Sequence, residues 1–469
     1  MIHIEPIEID ERSSKMMLHY LKRKHYIILG SGFIFLYIIF LILGLAGPTF
    51  YIKETTQLSI CPDGLTCINN PPNSTTLHWT GSTGGLTKSN RLLNVYAIPH
   101  LNDLQSNPNT SIHSITLQIH VNLVGSEYEE VKNISSIDRI FYGSCKGDRC
   151  EALLLASELG IDFPTYSITV DIDPSSNSNL TYVDHITFDL MYVNGAFALL
   201  EMISRLLFVI ITAGVIAGFI YSLRKLNYRI WTLEQQFVVI LLGALFFFNN
   251  PIFLLSLITS GAGFRTIDDF FTDLFVTILF YFWFVIFDGI RKNGTELKFT
   301  KFYLPKIILT SLFFISSLIT MSSLEHGLKT DPLADPTGLA DVFALVSVIM
   351  LVIFLFYLVY LIAKGWVMTK TLPFINIRLR LLLLLSVIVV TVLAFGVMFS
   401  LIGSGGRSSL TFFSFYGLAN LYIFALTILY LPHPNSDILY QSTMLRDGAE
   451  MPHLKLTERE EEEFNEVYL

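Results

Sequence analysis

Glu201 and Arg205 stand four residues apart at the mouth of a long apolar segment, a spacing that puts a carboxylate and a guanidinium on one helical face. Their pairing has two uses: a structural ion pair at an interface, or a polar gate over a cavity. Asn249-Asn250-Pro251 interrupts the middle of another apolar segment. Proline removes a helical hydrogen bond and clashes with the preceding turn. The two amides then either satisfy freed carbonyls at a packing kink or line a ligand site or hinge. Asp268, Asp269 and Asp273 open a further segment behind Thr266. Thr266-x-x-Asp269 has the spacing of a capping box and acids suit a helix N-terminus, while the same carboxylates are candidate ligand groups. Asp288, at the far end of that segment near Arg291 and Lys292, is expected at the interface.

Polar groups at membrane depth are costly, which makes them the first functional suspects. The histidines all lie outside the apolar segments, and those segments hold no H-E-x-x-H, Ser-His-Asp or paired-carboxylate engine. An enzyme is therefore not expected, nor is a metal or other cofactor. An ion-coupled pump would need mid-membrane carboxylates that these segments lack.

The elements that position these residues are membrane helices. Hydrophobic residues make up 52% of the chain and charged residues only 15%, against ~25% charge in soluble chains. Apolar runs at 26–45, 203–223, 237–259, 270–290, 304–323, 342–362, 381–402 and 412–431 are each close to the length that crosses a bilayer as a helix. Lys22, Arg23, Lys24, Arg224, Lys225, Arg229, Arg291, Lys292, Lys298, Lys301, Lys306, Lys364, Lys370, Arg378 and Arg380 all fall on one side of this topology. The short loops on the other side hold Arg265, Lys329 and Arg407. By the positive-inside bias both termini are cytoplasmic. The first run is too long and starts too late for a cleaved signal peptide, so it reads as an uncleaved signal anchor.

Between the anchor and the second span lies a segment with every cysteine: Cys61, Cys67, Cys145 and Cys150. Such usage predicts disulfides in an oxidising compartment, with the pairing open between local and crossed. Zinc is not expected, since neither pair has C-x-x-C spacing and no histidine is close by. The sequons Asn73, Asn109, Asn133 and Asn179 lie in the same segment and predict N-glycosylation, while Asn293 falls in a predicted cytoplasmic loop and should stay bare. Alternating patterns at 115–123, 166–172 and 186–192, with candidates at 92–98 and 139–142, predict half-buried antiparallel strands. Loops are expected at 81–85 and 174–179. A sandwich of about seven strands fits, either as a folded cap or as a binding domain. The chain thus divides into a cytoplasmic segment 1–25, an anchor 26–46, a lumenal or extracellular β domain 47–197, a seven-span block 198–431 and a tail 432–469. The tail ends in the acidic run 458–466 around Phe464, which is a solvated tail or a surface for sorting adaptors. No basic stripe suits nucleic acid.

Several motifs carry a resemblance to a known family. They are Trp231-Thr-Leu-Glu234-Gln235, Asn249-Asn250-Pro251-Ile-Phe, Phe302-Tyr303-Leu304-Pro305-Lys306, Ile377-Arg378-Leu379-Arg380, Ser414-Phe415-Tyr416-Gly417-Leu418 and, in the tail, Glu450-Met451-Pro452. Over residues 197–432 the chain resembles the transmembrane protein 181 family, Wntless-like seven-span proteins with GOLD-like lumenal domains. Asn250 stands where that family has an acid, so a carboxylate role there does not transfer. The rhodopsin signatures are absent. The resemblance implies one anchor plus a GPCR-like seven-helix bundle with a lateral cavity, and an inserted GOLD-like β sandwich. It also implies a trafficking receptor of the secretory-endosomal pathway. In that role the β domain binds a secreted or membrane cargo or ligand, and the bundle takes a lipid or apolar segment. Residence is then Golgi, endosome or plasma membrane. A cell-surface signalling receptor is the alternative, and a passive transporter or channel a third.

Overall fold

The computed structural model describes residues 17, 23–59, 77–101, 113–127, 130–146, 149–173, 183–224, 231–253, 263–291, 298–330, 338–368, 384–391 and 408–432. Cys61, Cys67, Asn73, Asn109, Asn179, Asn293 and the acidic tail lie outside the described residues.

Helix α1 (Arg23–Ala46) is apolar after Arg23, Lys24 and His25 except for Ser31, and leads directly into a β domain. Its strands are β1 (Tyr51–Ser59), β2 (Leu77–Gly84), β3 (Leu92–Leu101), β4 (His113–Glu127), β5 (Glu130–Lys146), β6 (Arg149–Cys150), β7 (Leu153–Leu159), β8 (Thr165–Ile172) and β9 (Val183–Val193). All pairings are antiparallel, in the order β1-β9-β3-β6-β5-β4-β8-β2, with β7 also on β3. Two half-sheets result, β1-β9-β3-β7 and β5-β4-β8-β2, joined by the two-residue β6. Their inner faces share one core, in which Trp79 of β2 stacks on Phe188 of β9 with centroids 4.0 Å apart.

The expected sandwich architecture is present, with nine strands in place of about seven. The expected loop at 81–85 is largely strand. Gly81 lies inside β2, where a Cβ would strike the Trp79 indole, so the glycine serves packing and not a turn. Alternation explains the rest: Tyr166, Ile168, Val170 and Ile172 of β8 point inward, while Thr165, Ser167, Thr169 and Asp171 face out. Cys145 and Cys150 are disulfide-bonded across the β5–β6 hairpin, where the chain crosses from one half-sheet to the other. That is the local one of the two pairings left open. Asn133 is exposed on β5.

The remaining helices are α2 (Gly195–Arg224), α3 (Leu233–Phe248), α4 (Gly263–Arg291), α5 (Leu304–Thr330), α6 (Gly338–Met368), α7 (384–391) and α8 (Ser409–Tyr430). A π-helical turn, Phe299–Tyr303, precedes α5, and another, Phe413–Gly417, interrupts α8. Among the described residues, six helices (α1, α2, α4, α5, α6 and α8) are long and apolar enough to cross a membrane. The chain is a multi-pass helical membrane protein with an inserted β domain. Helix α8 is the most enclosed, and α1 and α6 turn large apolar side chains such as Phe35, Leu45, Phe356 and Val359 outward. Glycines let α1 lie against α8: Gly44 meets the Leu410 backbone and Gly417 sits under Phe40. Trp283 of α4 donates to the Tyr422 hydroxyl at 2.7 Å, and Ser386 of α7 bonds the same oxygen at 2.8 Å.

One expectation is corrected here. Asn249-Asn250-Pro251 does not kink a continuing helix; α3 ends at Phe248, Asn249 is its C-cap, and Asn250 adopts φ 54°. Proline disfavours helical backbone in the residue before it, and asparagine tolerates the left-handed region, so the triplet stops the helix. Asp288, next to the end of the span Thr266–Gly289, is buried in an ion pair with Lys306 at 2.8 Å, and the same ammonium donates to the Phe302 carbonyl at 2.8 Å.

Candidate functional site

The β domain is tied to the bundle at two covalent joints, residues 47–50 and Asn194. Both are braced by hydrogen bonds. Ser409 donates to the Pro48 carbonyl at 2.6 Å, Asn194 N–H to Phe50 O at 2.8 Å, and the Asn90 amide to Val193 O at 2.8 Å. A third attachment lies beside these joints and consists of side chains. A short 3₁₀ turn, Lys88–Asn90, ends at Arg91, whose φ of 52° turns β3 into its strand and sends the guanidinium toward α2. Arg91 Nη1 donates to Glu201 Oε2 at 3.0 Å.

Glu201 and Arg205 pair as their spacing predicts, and both are buried. The Arg205 guanidinium is fully engaged. Its Nε and Nη2 donate to Glu201 Oε1 at 3.1 and 2.9 Å, while Nη1 and Nη2 donate to the two carboxylate oxygens of Asp268 at 2.5 and 3.0 Å. Rings enclose it: its central carbon lies 4.3 Å from the Phe253 centroid and 4.6 Å from that of Tyr416. The π-helical turn in α8 contains Tyr416, a use of local helix distortion common at functional positions. Arg91 also lies over Phe253, at 4.6 Å. Asn250 completes the set, its amide donating to Asp268 Oδ1 at 2.9 Å. Two arginines thus meet two carboxylates in a charge-balanced network that links the β domain to α2, the end of α3, α4 and α8.

Asp268 does not cap its helix. Helix α4 begins at Gly263 with no acid in its first turn, so the expected capping box is not formed. Asp273 instead accepts from Ser317 of α5 at 2.7 Å, and Asp269 is half-buried on the same helix. Pro251 opens the turn that carries Phe253 to the arginines.

Asn249 belongs to a different cluster. It exchanges amide hydrogen bonds with Asn420 of α8 at 2.8 and 3.0 Å and donates to Thr212 of α2 at 3.2 Å. Sequence reasoning missed Asn420, although a lone amide in an apolar span is the signal that finds such residues. It missed Arg91 and Phe253 as well. Arg91 has no periodicity or motif around it, and only the fold brings it to the bundle.

Two observations set the arginine network apart. Among the described residues, Arg91 and Asn250 are the non-glycine positions with positive φ, and both belong to it. Backbone held in this sparsely populated region is over-determined by its surroundings and clusters at functional sites. The network also contains buried polar atoms with no hydrogen-bond partner among the described residues: Nε and Nη2 of Arg91 and Oδ1 of Asn250.

A β domain carried between a first apolar helix and a polytopic bundle, and locked to it by buried charge, defines a β-capped multi-pass membrane protein. The model of the Wntless-like transmembrane domain matches residues 194–434, starting at the joint between β9 and α2, and the chain belongs to that family. Human Transmembrane protein 181 is 29% identical over 331 residues, which is 65% of this chain and 66% of that protein's length. The matched part is a little under two thirds of the relative.

Proposed function

We propose that this protein is a non-enzymatic trafficking receptor of the secretory-endosomal route, with the β domain on the lumenal side and both termini cytoplasmic. The β domain engages a secreted or membrane-bound cargo, and the bundle accepts a lipid or apolar segment of it. The tail meets sorting adaptors. Membership of the Wntless-like family supports a receptor-type role. The observation that carries the reading is the Arg91–Glu201–Arg205–Asp268–Asn250 network, because it gives the β domain a polar, strained and incompletely satisfied attachment to the bundle. Two covalent joints define an axis, and a third contact beside them sets the tilt of the domain about it. Cargo held by the β domain can thereby bias the bundle, and the reverse.

Crosslinking in cells followed by purification tests this. The expected result is a secretory protein or lipid that co-purifies with the natural chain and is recovered several-fold less with Arg91→Gln. Recovery of no secretory protein or lipid would overturn the reading. Surface biotinylation separates the signalling alternative, which needs a resident population at the cell surface.

A further inference from the structure

The outer face of the half-sheet β5-β4-β8-β2 carries a row that none of the preceding function uses. His78 of β2 stands opposite Asp171 of β8, Asp171 opposite His120 of β4, and His120 opposite Asp138 of β5. Histidine and aspartate therefore alternate in one line across four neighbouring strands. His78 Nδ1 lies 2.5 Å from Asp171 Oδ1, and His120 Nδ1 lies 2.6 Å from Asp138 Oδ1. His78 Nε2 is 3.1 Å from the Thr80 hydroxyl, which accepts or donates as the imidazole requires. Thr80, Thr169, Asn122 and Ser136 flank the row on one side, and Gln118 and Ile140 on the other. The nearest further charge along β8 is Asp173, two residues beyond Asp171.

With both imidazoles neutral, the row holds two carboxylates and is net negative. With both protonated it is neutral, each imidazolium lies directly beside a carboxylate, and His120 has one on either side. Hydrogen bonds from an imidazolium to a carboxylate are shorter and stronger than those from a neutral ring. Directly opposed residues on a sheet are the pairs that hold strands together.

From this row we infer a proton-operated clasp: protonation of its imidazoles ties β2, β8, β4 and β5 together more firmly. The row is exposed, with side-chain accessibility of 58% at His78 and 38% at His120, so the expected effect is modest and the variants are expected to fold.

The test uses the full chain in detergent or nanodiscs at about pH 7.5 and about pH 5.5, in a Glu158→Gln background; His100, His113 and His185 stay in every variant, so the reading is the difference between variants. Thermal unfolding and hydrogen exchange of β2 and β5 peptides are measured at both pH values, with exchange corrected for its intrinsic pH dependence. The β-domain midpoint is expected to be about 2–4 °C higher at the acid pH. The H78Q/H120Q double variant should lose that gain and the extra protection, and H120Q alone should lose part of it. An undiminished acid gain in the double variant would overturn the clasp.

Discussion

Asn249 and Asn250 are adjacent in the chain and opposite in character. Asn249 closes a reciprocal amide pair with Asn420, supported by Thr212, in which every member finds a partner. Asn250 sits in left-handed backbone, donates to a carboxylate already engaged by an arginine, and leaves its oxygen without a partner. One residue of separation divides a sealed structural joint from a charged, strained junction that reaches out of the bundle to Arg91. A costly polar group in an apolar setting is thus not evidence of function by its presence alone. Its satisfaction distinguishes the two cases.

The largest effect expected from breaking this contrast is on the charged side. Arg205→Met leaves Glu201 and Asp268 buried without their cation, and removing one partner of a buried pair costs about 3–5 kcal/mol. Thermal unfolding of the purified protein should show this as a large fall in midpoint, and Arg205→Lys should recover only part, because an ammonium lacks the guanidinium fork. On the sealed side the contrast sharpens. Asn249→Ala breaks the reciprocal pair, leaving Asn420 with the Tyr416 carbonyl and a long bond from Thr212, and should cost about 1–3 kcal/mol, whereas replacing both amides with leucine removes donor and acceptor together and should be nearer to neutral. A double variant as damaging as Arg205→Met would erase the distinction.

The β domain supplies a smaller, pH-dependent effect. Burial, with Asp162 beside it, pushes the Glu158 carboxyl up to about 7 from its ordinary 4.5, against the pull of Lys132. The folded domain therefore holds a proton that the unfolded chain releases between those values. Its contribution is full below the unfolded value and is lost as pH rises through about 7. Unfolding followed from pH 5 to 8 should show the natural domain losing stability as pH rises, and Glu158→Gln should flatten that slope. The smallest effect on stability is expected from Asn133→Gln. Glycosidase treatment of the natural protein should collapse a band that the variant already lacks, which would place the β domain on the lumenal side.

Much of this architecture was legible in the sequence. Long apolar runs and one-sided basic charge announce membrane helices, and period-two alternation locates β4, β8 and β9. The i,i+4 spacing of Glu201 and Arg205 gives their pairing directly. Tertiary context decided the rest. Proline's effect on its predecessor is compatible with a kink or a stop, and only the left-handed Asn250 selects the stop. Asp268 has the composition of a cap, yet α4 starts a turn earlier and delivers it to Arg205. Lys306 reads as one more cytoplasmic charge until Asp288 is seen beside it. Arg91 carries no local signal, because its role depends on where β3 enters the sheet relative to α2.

The central claim is that Arg91 is the third point of attachment that fixes the β domain on the bundle. Spin labels on β5 and on the exposed face of α2, with their separation measured by pulsed electron resonance, test it most directly. A narrow distance distribution is predicted for the natural chain, and a broadened or shifted one for Arg91→Gln and for Glu201→Gln. Identical distributions in all three, with the fold intact, would contradict the account.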